Sequence, residues 1–228
     1  MKTRNKLIIL VFSVLAVLLI MFTSLLYYIS TPTKGKMINA YQKPKKALLV
    51  IDTQEDFIGN HNKMNNQYKN VDETMERINL IQKRAQFSGI PVIYIRQEFS
   101  GIMGKTVSKL FMKGAAIKGN PGALMDKRLN IVNDIEFTKN RGDAFSNPDL
   151  DQWLTENEIS ELFLCGLDGE YCVHSTAKGA LNRGYKVNIF VDGIMLGKPE
   201  NFNQLIQKYY DEGISLYNSN MIKISSKN

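Results

Sequence analysis

From residue 46 to 228 the sequence predicts a three-layer α/β/α domain with a mostly parallel sheet, preceded by a single N-terminal transmembrane helix. Two patterns predict the domain and a third predicts the helix. Short, continuously apolar runs such as "ALLVID" and "ELFLCG" read as strands buried on both faces, the mark of a parallel sheet covered by helices. Between them lie longer stretches with apolar residues at helical spacing, several stopped by glycine. Ahead of them, residues 7–29 carry no charge, no proline and no glycine.

Each element follows in order. Residues 1–6 form a basic tail with Lys2, Arg4 and Lys6. "LIILVFSVLAVLLIMFTSLLYYI" (7–29) is long enough to cross a bilayer, which takes roughly 20 residues. Tyr27 and Tyr28 stand near one end, where amphipathic rings favour the membrane interface. The run is longer than a signal-peptide core and no small-x-small site follows it, so the reading is an uncleaved single-pass anchor. Basic residues flank both sides of the span, so the positive-inside count leaves the side open; a basic tail followed at once by the span leans towards the tail inside and the body outside the cytoplasm. Residues 30–45, with Pro, Gly and Lys and few apolar side chains, read as a linker whose lysines suit anionic headgroups.

In the body, "ALLVID" (47–52) is the first strand and 71–89 a helix closed by Gly89. "PVIYIR" (91–96) is the second strand, and residues 97–133 are poorly patterned and read as loops. "DIEFTK" (134–139) is a weaker third strand. Residues 147–159 make a short helix begun by Asn147 and Pro148. "ELFLCG" (161–166) is a strand and 173–184 a helix ended by Gly184. "KVNIFVD" (186–192) is a strand, 199–213 a helix from proline to glycine, and 214–219 a final short strand.

The net charge of +7 invites a nucleic-acid partner. Eight basic residues and no acidic one fall in 1–46, leaving 21 basic against 22 acidic in the rest. The body is close to neutral, so no nucleic-acid footprint is expected. Two cysteines make no disulfide framework. "GIMGKT" (101–106) fails as a phosphate loop because Phe99 stands where the first glycine belongs, and no GxGxxG follows a strand. The two histidines, His61 and His174, lie in no metal-ligand spacing and are read as surface or packing residues, so neither metal nor cofactor is expected.

Ligands of open parallel sheets bind at the carboxyl ends of the strands. Asp52 closes the first strand, Lys139 closes the third, and Cys172 follows the fourth after a short turn. A lone cysteine is more often a buried hydrophobe, and Cys165, inside an apolar run, is read that way. Cys172 opens a helix, whose N–H groups and dipole, with a nearby lysine, favour a thiolate. Asp52 could take its proton, and N–H groups of "GLDGEYC" could hold an oxyanion. A non-catalytic, membrane-tethered small-molecule-binding module is the competing reading. A thiol redox role is weaker, for want of a Cys-x-x-Cys pair.

Over about 46–220 the chain resembles the isochorismatase-like cysteine hydrolases, which include nicotinamidases, N-carbamoylsarcosine amidases and ureidoacrylate amidases. "ALLVIDTQEDF", "FTKNRGDAF" and "CGLDGEYCVHSTAKGALNRGYKVNIFVDGI" are similar to three ordered motifs of that family. The resemblance implies Asp52 as general base, Lys139 as its charged partner and Cys172 as nucleophile. It also implies a cis peptide between Leu167 and Asp168, with the N–H groups of Asp168 and Cys172 forming the oxyanion hole. Homo-oligomers are common among relatives. Nicotinamidases carry a metal-binding Asp-x-His after the second strand, where this chain reads "YIRQEFSG". Members that cleave a vinyl ether do not use the cysteine, so Cys172 points to hydrolysis of a small carboxamide or related C–N bond. Asp143 stands where serine is common.

Overall fold

A computed structural model describes residues 2–60, 63–64 and 67–221, and the chain divides into two units, Met1–Thr31 and Pro32–Asn228. The first unit is one helix, α1 (Lys2–Ser30), within which Leu10–Ser30 is long and apolar enough to cross a membrane. A signal sequence near the N-terminus meets the same test of length and composition. Its hydroxyls bond back to the helix itself: Thr23 Oγ1 donates to Leu19 O at 3.0 Å and Ser13 Oγ to Leu10 O at 2.8 Å. Such bonds let polar side chains sit in an apolar helix without another partner.

The second unit begins with β1 (Lys45–Ile51), α2 (Glu55–Ile58), α3 (Val71–Phe87), β2 (Val92–Gln97), α4 (Gly101–Phe111) and β3 (Glu136–Lys139). It continues with α5 (Pro148–Glu156), β4 (Ile159–Gly166), α6 (His174–Leu181), β5 (Lys186–Ile194), α7 (Phe202–Asp211) and β6 (Ser215–Tyr217). The six strands are all parallel, in the order β3-β2-β1-β4-β5-β6. The chain winds outward from β1 to β3, then returns to lay β4 on the other side of β1. The strand order therefore reverses between β1 and β4, where open α/β sheets hold their ligands.

The continuous apolar runs are explained by the two cores. Ala47, Leu49 and Ile51 of β1 face a cluster with Leu150 and Leu154 of α5, Ala177 and Ala180 of α6, and Leu205 and Tyr209 of α7. Leu48 and Val50, pointing the other way, join Met75, Ile78, Ile81 and Ala85 of α3. Both faces of the strand are dry, so alternation disappears from the sequence.

Three elements differ from expectation. Residues 101–111 form α4 rather than a loop, and Ser108 is its one buried residue, so no apolar stripe announced it. The helix expected from residue 173 is preceded by a wide turn, Gly169–Val173, which carries Cys172. Residues 199–201 make a separate tight turn before α7.

Candidate active site

The three residues singled out at strand ends are brought together. Asp52 follows β1 directly, its N–H held by Ile95 O at 2.8 Å and its φ at 54°. Lys139 is the last residue of β3, paired in register with Gln97 of β2. Cys172 lies in the turn between β4 and α6. The Lys139 ammonium is 2.8 Å from Asp52 Oδ2 and 3.3 Å from Cys172 Sγ. Asp52 and Lys139 are each 2 % exposed. The Asp52 carboxyl also faces the Cys172 thiol and the Gln97 backbone, so the thiol proton has an acceptor beside it.

Gly166 lets the turn that carries Cys172 begin where it does. It ends β4 at φ 114°, and any Cβ there would run into the carbonyl of Ile51. Next, Leu167 N donates to Ile51 O at 2.9 Å, and the Leu167–Asp168 peptide is cis. The Asp168 carboxylate accepts from Glu170 N at 2.7 Å and Gly197 N at 3.0 Å, which fixes the turn from inside. Gly169 O accepts from the Tyr209 hydroxyl at 2.5 Å.

Two residues near the cluster escaped sequence reasoning. Gln97 Oε1 accepts from Lys139 Nζ at 2.7 Å, while Gln54 Oε1 takes Gln97 N at 2.8 Å. Gln97 ends β2 just as Lys139 ends β3, and the same strand-end rule would have found it had β2 been extended by one residue. The Tyr68 hydroxyl is bonded to the Asp168 carboxyl. Tyr68 also lines a cavity of about 270 Å³ with Phe57, Ile58, Val71 and Arg128. No local pattern marks it.

Burial dominates the ionisation of the cluster. It pushes the Cys172 thiol up to about 12, opposed by Lys139 and reinforced by Asp52. The expected depression of the thiol by its lysine and helix is therefore outweighed by desolvation. Burial likewise lifts the Asp52 carboxyl above the usual carboxylate range, against the pull of Lys139. At Lys139 burial disfavours the charge, but Asp52 and Cys172 hold its pKa above the ordinary lysine value. A neutral thiol beside a carboxylate of raised basicity suits proton transfer at the moment of attack.

His174 faces Glu212, with Nε2 2.7 Å from Oε2. His61 lies outside the described residues. The segment after β2 does not fit a metal ion: Arg96 is 2.8 Å from Glu136 and 3.6 Å from Glu98, and Glu98 also meets Lys118 at 3.4 Å. Among the described residues no group of three or more His, Cys, Asp and Glu could hold a metal.

The Isochorismatase domain family model matches residues 46–216. A 44-residue segment is 52% identical to the nicotinamidase of Escherichia coli (strain K12), covering 19% of this chain and 21% of that protein. Over 165 residues, 68% of this chain and 82% of the relative, it is 29% identical to a probable inactive nicotinamidase of Arabidopsis thaliana. In fold it is similar to the N-carbamoylsarcosine amidase of Thermoplasma acidophilum, with a TM-score of 0.67 at 24% identity, covering 78% of this chain and 99% of that one. With the family's domain matched from the start of β1 into β6, this chain belongs to the isochorismatase family.

Proposed function

We propose that this protein is a membrane-anchored cysteine hydrolase acting on a small carboxamide or related C–N bond through an Asp52–Lys139–Cys172 triad. The observation that carries the reading is the Lys139 ammonium lying within 3.3 Å of both Asp52 Oδ2 and Cys172 Sγ. In this mechanism Cys172 Sγ attacks the carbonyl carbon as its proton passes to Asp52. The N–H groups of Asp168 and Cys172 hold the oxyanion. The tetrahedral adduct collapses, Asp52 returns the proton to the leaving nitrogen, and ammonia or an amine departs. Water, deprotonated by Asp52, then clears the thioester and frees the thiol. Lys139 stays protonated throughout and keeps the two acidic groups from repelling one another.

The test is ammonia or amine release across a carboxamide panel, with the full chain in detergent and Cys172→Ala beside it. Release by wild type and its loss in the variant are expected. Equal release by both would sink the mechanism. The Arabidopsis relative described as probably inactive favours a second reading, a tethered binding module that keeps the fold. Alkylation by iodoacetamide separates the two. A nucleophile whose proton passes to Asp52 labels at Cys172 near neutral pH despite its raised thiol, while buried Cys165 stays silent. Labelling of Cys172 only in alkali, as the raised thiol ionises unaided, supports the binding module.

For the anchor, the supporting feature is the uncharged stretch of α1 behind Lys2, Arg4 and Lys6, which favours an extracytoplasmic body. Carbonate-resistant membrane fractionation with an intact mass is expected. A mature chain lacking α1 would replace the anchor by a cleaved signal.

A further inference from the structure

We infer that the segment just after α1 is a positioning part of the catalytic edge: Thr33 clamps Asp143, and Asp143 sets the loop that joins Lys139 to the helix behind Cys172. The inference rests on Cys172 as nucleophile.

Asp143 is 1 % exposed, and a carboxylate so buried needs its lone pairs filled. Its Oδ1 accepts from Phe145 N at 2.9 Å. Its Oδ2 accepts twice from Thr33, from N at 2.7 Å and from Oγ1 at 2.6 Å. The same Thr33 hydroxyl accepts from Arg183 Nη1 at 3.0 Å. One hydroxyl thus bridges a buried carboxylate and a buried guanidinium. Arg183 is fixed in turn by Asp151 at 2.7 Å and lies over the Phe145 ring, 4.5 Å from its centroid. Asn182 Nδ2 donates to Thr33 O at 2.9 Å, and Ile38 N to Arg183 O at 2.9 Å. These bonds hold a segment that has too few apolar residues to pack on its own.

The clamp connects to the site through residues 140–146. Lys139 Nζ donates to Arg141 O at 3.1 Å, just before Asp143. Ala144 N donates to Thr176 Oγ1 at 3.0 Å, on the first turn of α6 beyond Cys172. Gly179 completes the fit, because any Cβ there would run into the Asp143 carboxylate. The loop is tied on one side to Lys139, on another to α6, and on its outer side to Thr33.

The test uses the full chain in detergent and the pH profile of Cys172 alkylation by iodoacetamide, with Cys165 as internal standard and melting curves in parallel. The titratable groups facing Cys172 are Asp52, Lys139 and Tyr68, with Asp168 bonded to Tyr68. Thr33→Val keeps size and N–H but removes the hydroxyl. It is expected to slow Cys172 labelling on the order of fivefold and to move its profile, as loss of one hydrogen bond to a charged group allows. Thr33→Ser should restore the wild-type profile. Exposed Asn182→Ala should shift it less in the same direction, and it carries the test should Thr33→Val fold poorly. A wild-type profile in Thr33→Val and Asn182→Ala, or a lowered melting point alone, overturns the clamp and leaves the nucleophile reading standing. Absence of preferential Cys172 labelling in wild type overturns both.

Discussion

Cys165 and Cys172 occupy one short stretch of chain, yet the sheet separates their chemistry. Cys165 sits in β4, opposite Val50 of β1, with Sγ 3.8 Å from Leu49 O and the α3-facing core around it. Cys172 sits past the end of the same strand, on the other core's flank, with Lys139 3.3 Å from its sulfur. Burial raises the pKa of both thiols. A buried, reluctant thiol is therefore no mark of a nucleophile. What differs is company: a backbone carbonyl for one, and an ammonium paired with a basic carboxylate for the other.

The sharpest way to break this contrast is to delete the sulfurs. Cys172→Ala should lower kcat on a genuine carboxamide by on the order of 10⁴ or more, as for other deleted nucleophiles. Residual activity within tenfold of wild type would return Cys172 to the class of Cys165. Next in size is Lys139→Met. It strands the Asp52 carboxylate in the interior and should cost about 3–5 kcal/mol in urea unfolding, since breaking a buried pair leaves its partner uncompensated. An unchanged midpoint would show that Asp52 finds water or a proton instead.

The pH profile sharpens the contrast further. Protonated Asp52 cannot take the thiol proton, so kcat/KM should be present above the Asp52 pKa and lost as pH falls through it. Burial places that limb above the ordinary aspartate value of about 3.9. A limb at or below that value would mean the base is not Asp52. The smallest effect belongs to Cys165→Ala, expected to cost about 1–2 kcal/mol of stability for the space it opens and to leave kcat/KM unchanged.

Much of this contrast was legible beforehand. Asp52, Lys139 and Cys172 were found because apolar runs end visibly and parallel sheets gather ligands at those ends. The α3 stripe and its glycine stop were equally plain. Other parts were not written locally. α4 buries only Ser108, so its periodicity has nothing to face. Tyr68 reaches Asp168 across a gap of sequence that no pattern bridges. Asp143 looked like an oddity because Thr33, which bonds it, and Arg183, which bonds Thr33, are remote in the chain and meet only in the fold. The thiol's ionisation was misjudged because helix and lysine are visible in sequence, whereas the depth of burial is not.

The strand order has one last consequence, for length. β3 and β1 are not neighbours: β2 lies between them, so at roughly 4.8 Å per strand their axes stand about 10 Å apart. The cation on β3 must stretch past the end of β2 to meet Asp52, and Gln97 Oε1, from the last residue of β2, accepts from the same ammonium at 2.7 Å. Lysine at 139 thus works as a ruler as much as a charge. Ornithine at that position, one methylene shorter, would keep the ammonium yet fall short of the carboxylate, and the gap could be measured directly as lost ion pairing.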